Sequence, residues 1–212
     1  MTDSESLPLP QRLGLAYAPP SGRAQWGVVL AFDHRLAHTI AQAREPMLKQ
    51  IRLAWWRDMV RGGPASDPLL ARMHHFFPGE SDRLVAAIDA WEELITTPIL
   101  LPATLDRYAR GRAEAFAPLF ADATGTARTD AANYAIKWSL GDLVAHAGDP
   151  SERRLVAAQA SQLPALAPLP RTLRPLAILG KLGARALRKG EGGLLDDRGG
   201  AIVAIRVGIF GR

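Results

Sequence analysis

Apolar residues recur along most of the chain at intervals of three and four, the pattern of helices that turn one face inward. Trp26, Val29, Leu36 and Ile40 keep that spacing and predict a helix over about 23–43. Arg44-Glu45-Pro46 interrupts it. The residue before a proline avoids helical backbone angles, and Pro46 suits the first position of a new helix. Residues 46–62 carry two apolar stripes, Leu48/Ile51/Trp55/Met59 and Leu53/Trp56/Val60. Two stripes predict a helix buried between neighbours, with Trp55 and Trp56 packing on different sides. Gly62-Gly63-Pro64 ends it.

Residues 67–77 predict a short helix. Residues 81–96 predict a stronger one, with Leu84, Ile88, Trp91 and Ile95 on one face and Ser81 placed to cap it. Pro102 opens the next, with Leu105, Tyr108, Phe116 and Leu119 in register to about Asp122. After a loop over 124–128, Ile136, Leu140, Leu143 and Val144 carry a helix to Ala147, where Gly148-Asp149-Pro150 stops it. Residues 151–163 read as helical, LPALAPLPR as a proline-punctuated connector, and 172–189 as a helix driven by Leu176, Leu179 and Leu182. The tail AIVAIRVGIF fits both strand alternation and helical spacing; without a second strand to pair with, helix is preferred. These elements predict an all-α, single-domain helical bundle over 23–212, preceded by a partly irregular segment, 1–22.

Composition narrows the setting. The 212 residues suit one domain, and the 48% hydrophobic content suits a packed core. No run of 18 apolar residues occurs, and the acidic, polar start resembles neither a secretory nor a transit signal. The chain has no cysteine, which excludes thiolate chemistry and Cys-ligated metals and points to a cytoplasmic setting. The net charge of +5 is uneven: from Arg171 onward nine Lys/Arg face three acids. Lys181, Arg185 and Arg188 fall on one helical face and could meet phosphates or anionic lipid at the inner face of a membrane. Nucleic acid is disfavoured, because few aromatics accompany the basic residues and no reader motif is present.

Several pairs have spacings that chemistry uses. His34/His38 could share a metal but lack a third ligand. Asp142/His146 could orient a general base or form a local pair. Asp89/Glu93 could share Mg²⁺ or face solvent. The glycine-rich stretch 191–200 lacks the Lys-Ser/Thr ending of a phosphate loop and reads as a connector.

LAFDHRLAHTIAQAREPMLKQIRLAWWRDMV, residues 30–60, resembles the squalene/phytoene synthase family, particularly its bacterial members related to the mitochondrial complex I assembly factor. The shared features are Ala-Phe before a helix, Glu-Pro at the corner, and Ile-Arg-Leu-x-Trp-Trp-Arg-Asp. LDRYARGRAEAF and LPRTLRPLAILGKLGARAL resemble later family segments in the same order. The resemblance implies an isoprenoid synthase fold with a central cavity. It makes Arg52, Trp55, Trp56, Arg57, Asp89, Glu93, Tyr108 and Asp142 the cavity or ligand-binding candidates. Active members condense prenyl diphosphates and need two facing aspartate-rich motifs to hold Mg²⁺ against the leaving group.

Here the sequence departs from the family. The acids of the first motif fall at Ala37, His38 and Ala41, and the helix of the second offers only Asp142 and Asp149. The expectation is therefore a catalytically degenerate member with no catalytic residue, metal or cofactor. It would act as an assembly-type factor that binds an isoprenoid or other lipid, a protein partner, or an anionic membrane surface. The alternative is an active, Mg²⁺-dependent prenyl transferase that recruits Asp89 and Glu93.

Overall fold

The structure is a computed structural model that describes residues 7–63, 67–190 and 193–211. Among these residues it is all helical: α1 (Leu9–Ala16), α2 (Arg23–Gln42), α3 (Pro46–Val60), α4 (Pro68–Phe76), α5 (Ser81–Thr96), α6 (Pro102–Glu114), α7 (Gly125–His146), α8 (Pro150–Ser161), α9 (Arg174–Lys189) and α10 (Arg198–Phe210). Two 3₁₀ turns, Ala117–Phe120 and Arg171–Leu173, join the set. Pro64 of the predicted helix stop, and residues 191 and 192 of the glycine-rich stretch, lie outside the described residues.

Local chemistry sets most boundaries. Pro46, Pro68, Pro102 and Pro150 open their helices, where the missing N–H costs nothing. Asp67, Asp149 and Asp197 accept hydrogen bonds from Leu69, Ser151 and Gly200 N–H groups at 2.7, 2.7 and 2.9 Å, satisfying donors that the first turn leaves free. Asp197 settles the ambiguous tail as helix. Gly190, with φ 67°, ends α9 in a conformation that side chains resist.

Three boundaries differ from the sequence reading. α6 stops at Glu114 rather than Asp122, because Pro118 cannot supply the N–H a continuing helix needs and its neighbours turn into 3₁₀ geometry. The expected loop 124–128 is instead the first turn of α7. Ser81 does not cap its own helix: its hydroxyl donates to the Val60 carbonyl at the end of α3, 3.1 Å away, and ties two helices together. In the N-terminal segment, α1 packs on α9, with Gly14 facing the Pro175 carbonyl and Leu179.

The helices pack in a continuous series: α10 on α9, α9 on α7, α7 on α6, α6 on α5 and α5 on α3, with α2 touching α1, α3, α4 and α5. The α7–α9 crossing is the closest, since a Cβ on Gly141 would collide with the Gly183 backbone. One apolar core runs through the series and includes Trp56, Trp91, Tyr108, Tyr134 and Trp138.

α3 departs from expectation. Leu53, Trp56 and Val60 are buried, but Leu48, Ile51 and Trp55 are 45, 57 and 44% exposed. Of the second stripe, Leu48, Ile51 and Trp55 stay in solvent and Met59 alone packs partly against the core. Trp55 touches Trp56 edge-on with ring centres 5.2 Å apart, and Trp56 meets Phe32 at 5.8 Å.

Candidate functional site

An arginine buried at the centre of the bundle organises the candidate site. Arg112 of α6 is 1% exposed. Its Nε and one terminal nitrogen donate to the two carboxylate oxygens of Asp33 on α2, at 2.7 and 2.8 Å. The other terminal nitrogen forms an ion pair with Asp142 of α7 at 2.8 Å and donates to the Tyr108 hydroxyl at 2.9 Å. Gln11 of α1 donates to Asp33 from a fourth helix, at 3.2 Å. The guanidinium also lies over the Trp91 ring, 4.8 Å from its centre, and 5.6 Å from that of Trp138.

Burial would loosen the proton on Arg112, but Asp33, Tyr108 and Asp142 more than reverse that and hold it charged. The Tyr108 hydroxyl is pushed upward, chiefly by burial, and stays protonated. One cation and two carboxylates leave the cluster with a net charge of about −1.

A cleft of about 330 Å³ opens above this floor, within the range of small-ligand sites. Pro8, Ile40, Trp91 and Leu143 supply apolar wall, while His34, His38 and His146 add imidazoles. Gln11 Oε1 and Trp91 Nε1 are buried without a hydrogen-bond partner, and both side chains line the cleft. Such orphaned groups cost free energy until something polar meets them. A larger surface cleft, about 450 Å³, contains Glu80 and Asp122 but none of the candidate site residues named from the sequence.

The structure separates the predicted candidates. Tyr108 and Asp142 line the central cleft, as do Ala37, His38 and Ala41, the positions where the family resemblance sets its first acidic motif. Arg52 and Trp55 are exposed on the outer side of α3, and Trp56 is buried in the core. Asp89 and Glu93 do not reach the cleft lining. Asp89 and Glu92 pair with Arg57, while Glu93 pairs with Arg107. These acids neutralise arginines between α3, α5 and α6. Asp149 caps α8.

The His34 and His38 rings stand 5.9 Å apart, and no group of three or more metal-ligating side chains forms among the described residues. Burial and His38 push the His34 pKa below its ordinary value, with Asp33 and Asp142 pulling the other way. His146 Nδ1 lies 2.8 Å from its own helix's Asp142 carbonyl and 3.5 Å from that residue's carboxylate, a local pair. The basic stripe on α9 is also partly occupied. Arg185 and Lys189 hold Asp197, and Lys181 donates to the Leu166 carbonyl.

Asp33, Arg112 and Gln11 were missed by sequence reasoning, although a signal existed for two of them. Asp33 continues the apolar stripe of Val29 and Leu36, and Arg112 follows Leu105 and Tyr108 at helical spacing. Opposite charges on two inward stripes should meet in the core. Comparison with known proteins returns no match: no family model, no curated protein and no solved structure resembles the chain closely enough.

Proposed function

We propose that the protein is a non-catalytic binding protein for a neutral isoprenoid or similar lipid, built on the plan of the squalene/phytoene synthases with the diphosphate chemistry lost. The observation that carries this reading is the commitment of Asp33 and Asp142 to Arg112. A carboxylate already bonded to a guanidinium has little left to offer Mg²⁺. A floor of net negative charge also repels a diphosphate. The apolar wall and the unpaired Gln11 and Trp91 atoms suit a lipid ending in a hydroxyl or carbonyl. The meeting of positions 37, 38 and 41 with Asp142 at one cleft supports the family comparison.

Tryptophan fluorescence titrated with farnesol and with farnesyl diphosphate, each with and without Mg²⁺, tests the proposal. Farnesol should bind and Ala41→Trp should block it; the diphosphate should neither bind nor turn over. Mg²⁺-dependent diphosphate release that disappears in Asp89→Ala or Glu93→Ala would establish the prenyl transferase alternative instead. The assembly role implied by the resemblance draws on the exposed Leu48, Ile51 and Trp55 face of α3 and is secondary.

A further inference from the structure

α10 is built inside out for a helix that faces water. Its inward residues are small or slender: Gly200, Ala204, Val207 and Gly208 are buried, with Gly208 pressed against the Tyr17 ring. Its large residues point away from the protein. Ile202, Ile205, Ile209 and Phe210 are 63, 48, 53 and 69% exposed. Water-facing helices carry polar residues there, whereas α10 carries only Arg198 and Arg206, both exposed, and no acid.

The charge beside this face is mainly positive. Arg188 is exposed, and the charges acting on Lys181 are Arg188 and Arg206; those acting on Lys137 are Lys181 and Arg188. Of the two acids immediately before α10, Asp197 is held by Arg185 and Lys189 and Asp196 accepts from the Gly193 N–H; neither acts on Lys181 or Lys137. Cations from α7, α9 and α10 thus share one field with no free carboxylate acting on the two lysines.

We propose that α10 seats the protein on an anionic lipid surface, with Ile202, Ile205, Ile209 and Phe210 entering the acyl boundary while Arg198 and Arg206 meet lipid phosphates. This is the arrangement of an interfacial helix, apolar side chains flanked by cations. No helix among the described residues is long and apolar enough to cross a membrane, so the contact is with the surface. A second copy fits less well, because a two-fold contact through this face would set Arg198 and Arg206 against the same cations. Nucleic acid would answer the arginines and leave four large apolar side chains wet. The proposal is independent of the cleft and its ligand, and it moves the contact from the stripe on α9 to α10.

Co-sedimentation with vesicles of phosphatidylcholine alone, and of phosphatidylcholine mixed with phosphatidylglycerol, is the test. The wild type should bind the mixed vesicles and release in high salt. Arg198→Ser with Arg206→Ser should weaken binding about 25-fold, near fivefold for each charge. Ile205→Asp with Ile209→Asp should weaken it about a hundredfold or more, with an unchanged thermal transition, since both positions are at the surface. Ile205→Ser with Ile209→Ser is the milder control if the aspartates perturb folding. Equal binding to both vesicle types overturns the proposal, as does full binding by a folded apolar-face variant. A self-association in sedimentation that the aspartate pair abolishes would identify a second copy as the occupant and also overturn it.

Discussion

Arg112 and Arg57 each stand between two carboxylates, yet the fold puts them in different solvents. Arg112, with Asp33 and Asp142, lies at the centre of the bundle as the floor of the cleft; the three side chains are 1, 1 and 15% exposed. Arg57, with Asp89 and Glu92, lies near the surface at 19, 55 and 28%. Water screens the second set, so its ion pairs add little. In the first set each charge depends on the others, because Arg112 and Asp33 are almost wholly withdrawn from water and have little to solvate them if a partner is lost. One arginine between two carboxylates therefore forms a keystone in one place and a surface clasp in the other.

Arg112→Ala should break this contrast most strongly. It leaves Asp33 buried and unpaired, and should cost about 3–5 kcal/mol in urea unfolding. A loss below about 1 kcal/mol would show that the cluster is wet. Replacing the whole set, Asp33→Leu with Arg112→Met and Asp142→Leu, should recover most of that loss, since an apolar core needs no charge balance.

Tyr108→Phe removes one acceptor from Arg112 and leaves both carboxylates in place. The expected loss is about 1 kcal/mol, and a much larger one would make the hydroxyl part of the keystone. Arg57→Ala, the matching change at the surface, should cost less than about 1 kcal/mol and should matter less as salt rises. A salt-independent cost of several kcal/mol would erase the distinction between the two clusters.

The smallest effect is the pH response of His34, beside the buried set. Its folded pKa lies below the ordinary 6.5, from burial and then His38. The folded state therefore holds the proton less tightly than the unfolded chain. Stability from this residue is complete above about pH 6.5 and is lost as pH falls through the lowered folded value. His34→Gln should flatten that acid-side decline in urea midpoints; parallel wild-type and variant curves would rule the residue out.

The periodic spacing of Leu, Ile, Trp and Tyr, with Pro46 and Pro102 as helix openers, made the all-α class and most helix positions legible. Those signals are local, set by turn geometry and by groups within a few residues. Burial was less legible. Leu53/Trp56/Val60 and Leu48/Ile51/Trp55 look equally apolar along α3, and nothing in their spacing says which stripe meets α5. The candidate site was half visible for the same reason. Tyr108 and Asp142 stood out, but Asp89 and Glu93 stood out equally, and their arginine partners lie on other helices, far away in sequence.

The amino-acid sequence by itself determined where most helices start and stop, which faces are apolar, and that no carboxylate stands at positions 37, 38 and 41. Only the tertiary structure decided which charges lose their water. That choice depends on α1, α2, α6 and α7 converging on Arg112. It decided the fate of the tail as well. AIVAIRVGIF is helical by its own spacing. Its isoleucines face outward, while Gly208 lies on the inner side against the Tyr17 ring, which a larger residue there would have to displace. Steric fit between distant segments, rather than hydrophobicity along one of them, set the direction in which that face points.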